Sequence, residues 1–407
     1  MNHVVVVGGG HAAAQFCASM IEAGHGERLI MVTDEAHVPY QRPPLSKAYL
    51  KEAQPAPAWI RADSFYTDKG VGLRMSSRAT RIDRDARVLH LEDGSTVPYA
   101  HLVLATGTRA RTLPSLQTMA ANVHTLRTLE DAARLRAQAE SAQHVLVVGG
   151  GFIGLEIAAT LAAQGKHVTL LEAAPRLLAR SVSPEVSTFL LAHHRSRGVD
   201  IRLDAVIEAF EGDAQGVSGV RLADGSALPA EMVVVGIGAV PNTELAQEAG
   251  LTCDNGVVVD AHMQTSDPHI LAIGDCTAFP SHHLGRRVRL ESVQNANDQA
   301  RCAAATIAGQ PQPYQALPWF WSDQGEVRLQ IVGLAQACHE RVLRGSLADG
   351  KFSVLYFDGD RLMAVESINA PADHMAARKL VAAGQPIPRE AAQDTAVALK
   401  TLETAAA

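Results

Sequence analysis

Cysteine is scarce and scattered. The five residues, Cys17, Cys253, Cys276, Cys302 and Cys338, form no CxxC pair and no metal-ligand spacing, and an odd count makes a poor disulfide framework. No metal centre is expected, and a reducing cytoplasm suits the chain. No stretch holds about 18 apolar residues without charge, so no membrane span is expected. The opening residues Met1, Asn2 and His3, followed by an apolar run at 4–7, lack the n-region and h-region of a signal peptide. Positive charge is short as well. A formal net charge of −7 argues against a surface built to hold nucleic acid or anionic membrane, while still allowing a local basic patch.

What is present is globular. At 407 residues, 47% apolar and 19% charged, the chain has length for two or three domains. Apolar strand-like runs recur at 4–7, 29–32, 102–105, 145–148, 168–171, 232–235 and 270–273, several of them followed by helix-like segments. That is the pattern of βαβ units around a parallel sheet. The chain also repeats itself. Gly8, Gly9 and Gly10 after the first run are matched by Gly149, Gly150 and Gly151 after the run at 145–148. Downstream, the hairpin-turn pair Asp93-Gly94 is matched by Asp224-Gly225, and each leads through a proline, Pro98 or Pro229, into a strand ending near Gly107 or Gly238.

Two similar modules therefore lie in series, the second inserted in the first, with the run at 270–273 as the last strand of the first module. After about Pro318 the composition changes: Trp319, Phe320 and Trp321 cluster, and strand-like runs alternate with turns such as Asp358-Gly359-Asp360. The residues from Glu390 to Ala407 read as a loose helix or frayed tail. The expected fold class is α/β, with two Rossmann-like dinucleotide-binding domains and a C-terminal α+β domain. The expected boundaries are 1–112 with 244–317, then 113–243, then 318–402.

The first loop reads Gly8-x-Gly10-x-x-Ala13 after a strand and at the opening of a helix. Glycine permits the tight turn and the close approach of a pyrophosphate. A small residue at the third position lets helix pack on strand, and the helix N-terminus presents free N–H groups. The next strand ends near Asp34 and Glu35, where a ribose-binding acid belongs. The second loop is Gly149-x-Gly151-x-x-Gly154, with Phe152 and Ile153 inside it, and its second strand ends at Glu172. One such loop reads equally as an ordinary glycine turn; two, each with an acid at the right distance, specify dinucleotide sites. Glu172 accepts hydrogen bonds from a ribose 2′-OH and repels a 2′-phosphate, which favours NADH over NADPH, although Arg176 is close in sequence.

Further motifs carry a resemblance. Arg42-Pro43-Pro44-Leu45-Ser46-Lys47, Ala105-Thr106-Gly107, Gly274-Asp275, Glu291-Ser292-Val293-Gln294 and Pro318-Trp319-Phe320-Trp321-Ser322-Asp323-Gln324 occur in that order around the second glycine loop, 149–156. Together they resemble the FAD-dependent pyridine nucleotide reductases over nearly the whole chain. Within these the chain is most similar to the ferredoxin reductases of bacterial oxygenase systems.

That resemblance implies FAD in the first module and NADH in the second. It implies that Asp275 bonds the ribityl chain, that Ala105, Thr106 and Gly107 approach the adenosine part, and that Arg42 neutralises phosphate. Ala79 and Arg109 join the FAD set, and Glu156 and Gly238 the coenzyme set. Lys47, Glu291 and Trp321 are the implied catalytic group beside the flavin, with Ser292 and Val293 opening a helix towards it. Taken singly, Arg42 and Lys47 read as solvated loop charges, Asp275 as a helix cap, Glu291 as a partner of Arg289, and Trp319 and Trp321 as core. Gln41 before Arg42 and Gly325 after Gln324 depart from the family pattern, which expects an acid and an aromatic.

No cysteine stands between Cys17 and Cys253, which disfavours acceptance of electrons by a cysteine pair. A flavin that takes hydride and returns electrons singly then needs a one-electron acceptor. The resemblance implies a 2Fe–2S ferredoxin feeding an oxygenase, with rubredoxin second. The enzyme is expected as a monomer or weak dimer. Arg286, Arg287, Arg289, Arg109 and Arg111 are candidates to steer an acidic carrier. The competing readings are an NADH oxidase and an NADH-sensing flavoprotein of the apoptosis-inducing-factor type.

Overall fold

The computed structural model describes residues 3–335, 338 and 340–403; Met1 and Asn2 at the start and residues 404–407 of the expected tail lie outside that range. Contacts divide the chain into two compact units. The first runs up to Gln41 and includes Pro57–Arg109 and Val240–Pro318; the second comprises Arg42–Ala56, Ala110–Ala239 and the residues from Trp319 on.

At the centre of the first unit lies Val4–Val7, four β-branched residues nearly without solvent contact. A strand covered on both faces reads as such a continuous apolar run, and valine's stiff side chain packs well on the pleat. The five-stranded parallel sheet has the order Ile270–Ala272, His101–Leu104, Val4–Val7, Leu29–Val32, Gly72–Arg74. Ile270 pairs with Leu102, so the late run does return as the edge strand of the first sheet. The helices His11–Glu22 and Val293–Ile307 pack against each other in this unit, and Phe16, Cys17 and Met20 bury one face of the first.

In the second unit the parallel sheet has the order Asp200–Arg202, His167–Leu171, His144–Val148, Met232–Val235, Val123–His124. Each unit adds a three-stranded antiparallel meander, and the two meanders turn alike. Asp93 Oδ1 accepts from the amide and hydroxyl of Ser95 at 2.9 and 2.6 Å, and Asp224 Oδ1 accepts from Ser226 at the same distances. Gly94 and Gly225 take φ of 83° and 84°, a left-handed conformation that glycine adopts without strain.

The C-terminal part is a five-stranded antiparallel sheet, ordered Trp319–Gln324, Val327–Gly333, Arg361–Ile368, Lys351–Asp358, Glu340–Ser346, with helix Pro371–Ala383 against it. Leu329, Phe352, Val354 and Ile368 of this sheet share one apolar core with Leu155 and Leu161 of helix Phe152–Ala163 and Val186 and Leu190 of helix Pro184–Ser196. No described helix is long and apolar enough to cross a membrane.

His374, on the last helix, is buried, and neither ring nitrogen has a partner among the described residues. Burial first, then the charges of Arg378 and Arg328, lower its pKa from 6.5 to about 4. The folded state therefore binds fewer protons than the unfolded state in that interval, so this contribution to stability is present above pH 6.5 and is lost as pH falls towards 4. Denaturant unfolding across that interval should show the decline, and His374→Gln should flatten it. An unchanged slope would mean that other groups control the acid limb.

Candidate functional site

The first unit builds a cradle from the strand–turn–helix at Val4–Val7 and His11–Glu22. Gly8 has φ of 131°, and a Cβ there would stand 2.2 Å from the Ala105 carbonyl oxygen, so only glycine lets the two loops meet. Gly10 is the N-cap of the helix without a side-chain cap, which leaves first-turn amides for a ligand, and Ala13 is fully buried against the strand layer. At the end of the second strand, Glu35 Oε2 accepts from the Tyr40 hydroxyl at 2.5 Å, while Asp34 forms an exposed pair with Arg78. Ala79 opens the first strand of the meander.

The loop after His101–Leu104 is fastened by Asn242. Thr106 Oγ1 donates to the Asn242 carbonyl at 2.7 Å, and Asn242 Nδ2 returns a bond to the Thr106 carbonyl at 2.8 Å. Gly107 takes φ of 62°. Arg109 donates to Asn242 Oδ1 and pairs with Glu244 at 2.8 Å. Asp275 sits in the turn Gly274–Cys276, whose first amide donates to the buried Gln299 Oε1 at 2.7 Å. Arg289, its side chain largely buried, donates to the Asp275 carbonyl and pairs with Glu291 at 2.6 Å. Ser292 caps the helix Val293–Ile307 by accepting from the Asn295 amide. Two helix N-termini and a glycine turn with no room for a Cβ fit a dinucleotide phosphate group.

In the second unit, Gly149 has φ of 108° and lies where a Cβ would approach the Gly236 carbonyl to 2.5 Å; at Gly154 it would approach the Gly149 carbonyl to 2.1 Å. Helix Phe152–Ala163 starts at Gly151 without a side-chain cap. Both Glu172 oxygens are held by the chain: Oε2 accepts from the Gly150 amide at 2.6 Å and Oε1 from the Ala174 amide at 2.8 Å. Each oxygen keeps a further lone pair for a ribose hydroxyl. Arg176 faces elsewhere, donating to the Val182 and Ala179 carbonyls and to Ser187 Oγ. Ile153 is exposed, Phe152 packs on Phe320 with centroids 4.6 Å apart, and the Gly238 carbonyl accepts from the Arg111 amide.

A third cluster, also in the second unit, joins three distant segments. Glu156, 5% exposed, accepts from Lys47 Nζ and Ser46 Oγ at 2.6 Å each through Oε2, and from Ser322 Oγ at 2.6 Å through Oε1. Lys47 also donates to the Pro43 carbonyl, and Arg42 donates to the Arg127 carbonyl at 2.7 Å. Trp321, beside Ser322, stacks on Trp319 with centroids 5.6 Å apart. Sequence reasoning had Lys47 and Glu156 in separate motifs. Their pairing, and the parts of Ser46 and Ser322, carry no spacing signal: Ser46 and Glu156 stand 110 residues apart. In the first unit, burial raises the pKa of the Cys17 thiol to about 12 and also raises that of Cys276, which disfavours a thiolate at either position.

The pyridine nucleotide-disulphide oxidoreductase family matches residues 2–300, and the reductase C-terminal family matches residues 319–403. The chain is 42% identical over 411 residues to putidaredoxin reductase of Pseudomonas putida, covering 100% of this chain and 97% of the relative. It is 43% identical over 398 residues to rhodocoxin reductase of Rhodococcus erythropolis, covering 98% and 93%. Among solved structures, the covalent putidaredoxin reductase–putidaredoxin complex is similar with a TM-score of 0.96 and 42% identity, covering 100% of this chain and 99% of that one.

Removing the Ser322 hydroxyl takes the donor from Glu156 Oε1 and leaves that oxygen buried. Ser322→Ala should lower unfolding free energy by about 1–3 kcal/mol, with Ser322→Thr recovering most of it. An unshifted denaturation midpoint in Ser322→Ala would mean that water replaces the hydroxyl.

Proposed function

This chain belongs to the pyridine nucleotide-disulphide oxidoreductase family, and from that premise we propose that it is an FAD-dependent, NADH-oxidising ferredoxin reductase of an oxygenase system. The observation that carries this reading is the pair of phosphate cradles in one chain, each a glycine turn closed to any Cβ at the start of an uncapped helix. Relatives of nearly the same length act as reductases for redoxins by name, putidaredoxin reductase among them. FAD is assigned to residues 1–112 with 244–317, NADH to 113–243, and residues 318–402 form the C-terminal domain. The scattered cysteines suit work in a reducing cytoplasm.

FAD, when bound, supplies the chemistry of accepting a hydride and releasing electrons one at a time. The chain's own residues bind and orient. Gly149, Gly151 and the first turn of Phe152–Ala163 receive the coenzyme pyrophosphate, and Glu172 receives the ribose 2′-OH. Gly8, Gly10 and the first turn of His11–Glu22 do the same for FAD, with Asp275 and the Ala105–Gly107 loop along its length. Glu156 keeps the Lys47 ammonium in one place, so a fixed positive charge is available without rearrangement. The N-terminus of Val293–Ile307, capped by Ser292, presents a positive dipole end suited to negative charge.

Purified protein should be yellow and, without oxygen, should bleach faster with NADH than with NADPH. A charge-assisted hydrogen bond contributes about 1.5–3 kcal/mol, so Glu172→Ala should weaken NADH binding about tenfold or more. A colourless protein that leaves NADH untouched would end the reading. The reading assigns Arg286 and Arg287 to steering an acidic ferredoxin: charge reversal at both should slow ferredoxin reduction and reduce its salt dependence while dye reduction continues. Equal loss with a small dye would remove them from that role.

A further inference from the structure

Arg176 lies four residues past Glu172, close in sequence to the acid that favours NADH. Its terminal nitrogens bond inward, Nη1 to the Val182 carbonyl at 2.7 Å and Ser187 Oγ at 3.1 Å, and Nη2 to the Ala179 carbonyl at 2.5 Å. The segment it braces, residues 172–183, touches the coenzyme cradle directly. The Leu178 amide donates to the Gly150 carbonyl at 3.1 Å, and a Cβ on Gly150 would meet Leu177 at 2.7 Å. Glu172 closes the same loop from the other side through the Gly150 amide.

The far end of the segment is held by the C-terminal sheet. Ser183, the N-cap of helix Pro184–Ser196, donates its amide to both oxygens of Glu366 at 3.1 and 3.0 Å, and the Tyr356 hydroxyl donates to Glu366 Oε1 at 2.8 Å. Ser183 and Glu366 are each 2% exposed. Beyond this anchor the helix stays keyed to the sheet along its length: Glu185 pairs with Arg341, Phe189 meets Phe352 edge-on, and His194 shares a hydrogen bond with Gln324. A buried carboxylate with three acceptor contacts holds one geometry, because any shift leaves a polar group unpaired out of water.

We propose that Arg176 and Glu366 are positioning residues for the coenzyme site, through which the C-terminal sheet sets the shape of the NADH cradle. The inference rests on the NADH reading of the second unit. Because coupling between two sites is reciprocal, coenzyme binding must in turn order the strands that carry Tyr356 and Glu366.

The test uses the FAD-loaded full chain and ADP-ribose, which carries the adenosine and pyrophosphate of NADH without the nicotinamide. Calorimetry on Glu366→Leu should show ADP-ribose affinity about tenfold weaker, within the ordinary range for coupled sites. The loss in turnover should fall on KM for NADH rather than on kcat. Hydrogen exchange in Lys351–Asp358 and Arg361–Ile368 should slow when wild-type protein binds ADP-ribose, and that slowing should vanish in the variant. Where Glu366→Leu does not fold, Glu366→Gln serves, with a smaller change in the same direction. Unchanged affinity in a folded variant, or no slowing in wild type that binds ADP-ribose, would overturn the proposal. Failure of wild type to bind ADP-ribose at all would instead overturn the NADH reading.

Discussion

Glu156 is a carboxylate out of water, and its solvation is replaced entirely by neighbours: Ser46 and Lys47 on one oxygen and Ser322 on the other. Desolvating such a charge costs several kcal/mol, offset only when geometry is close to ideal and the remaining lone pairs are filled. The three donors come from the loop after Arg42, the same loop's 3-10 turn, and the first strand of the C-terminal sheet. Holding them together therefore holds the Arg42–Ala56 segment and strand Trp319–Gln324 on the helix that opens at the second cradle. The Thr160 hydroxyl bond to the Ser46 carbonyl and the Gln164 bond to the Leu50 carbonyl extend the same attachment along that helix. Lys47 is thus held by a counter-ion that is itself held by packing.

The two cradles solve one problem twice. A pyrophosphate needs several backbone amides converging on it, and a side chain at the turn would occupy the space. Gly8 and Gly149 both take positive φ, and both face a carbonyl from the loop after a neighbouring strand, Ala105 in one unit and Gly236 in the other. The acids differ in setting. Glu172 is clamped by two backbone amides, while Glu35 is clamped by a tyrosine hydroxyl and Asp34 stays in solvent. The clamped Glu172 therefore presents its carboxylate in one orientation at the end of its strand.

The C-terminal sheet shows the same economy of polar contacts at buried positions. Along Trp319–Gln324 successive residues point to opposite faces. Ser322 and Gln324 go inward to Glu156 and His194, while Trp319 and Trp321 stack on the other side with Arg378 over Trp319 at 4.7 Å. One strand thereby serves the dinucleotide layer with its polar side chains and presents aromatic rings with the alternate ones.

Much of this was legible in the chain by itself. The parallel sheets follow from apolar runs such as Val4–Val7, the cradles from glycine spacing after those runs, and the paired meanders from Asp-Gly-Ser turns, because each signal is local and periodic. The return of Ile270–Ala272 to the first sheet was legible too, since the strand had no third glycine loop before it and needed an apolar neighbour. Tertiary structure alone decided which distant side chains share a charge or a cap. The Lys47–Glu156 pair, the Ser322 donor and the Glu366 anchor of Ser183 join residues far apart in number. No periodicity records such contacts, for they arise from how whole layers pack and from the cost of leaving a buried polar group without a partner.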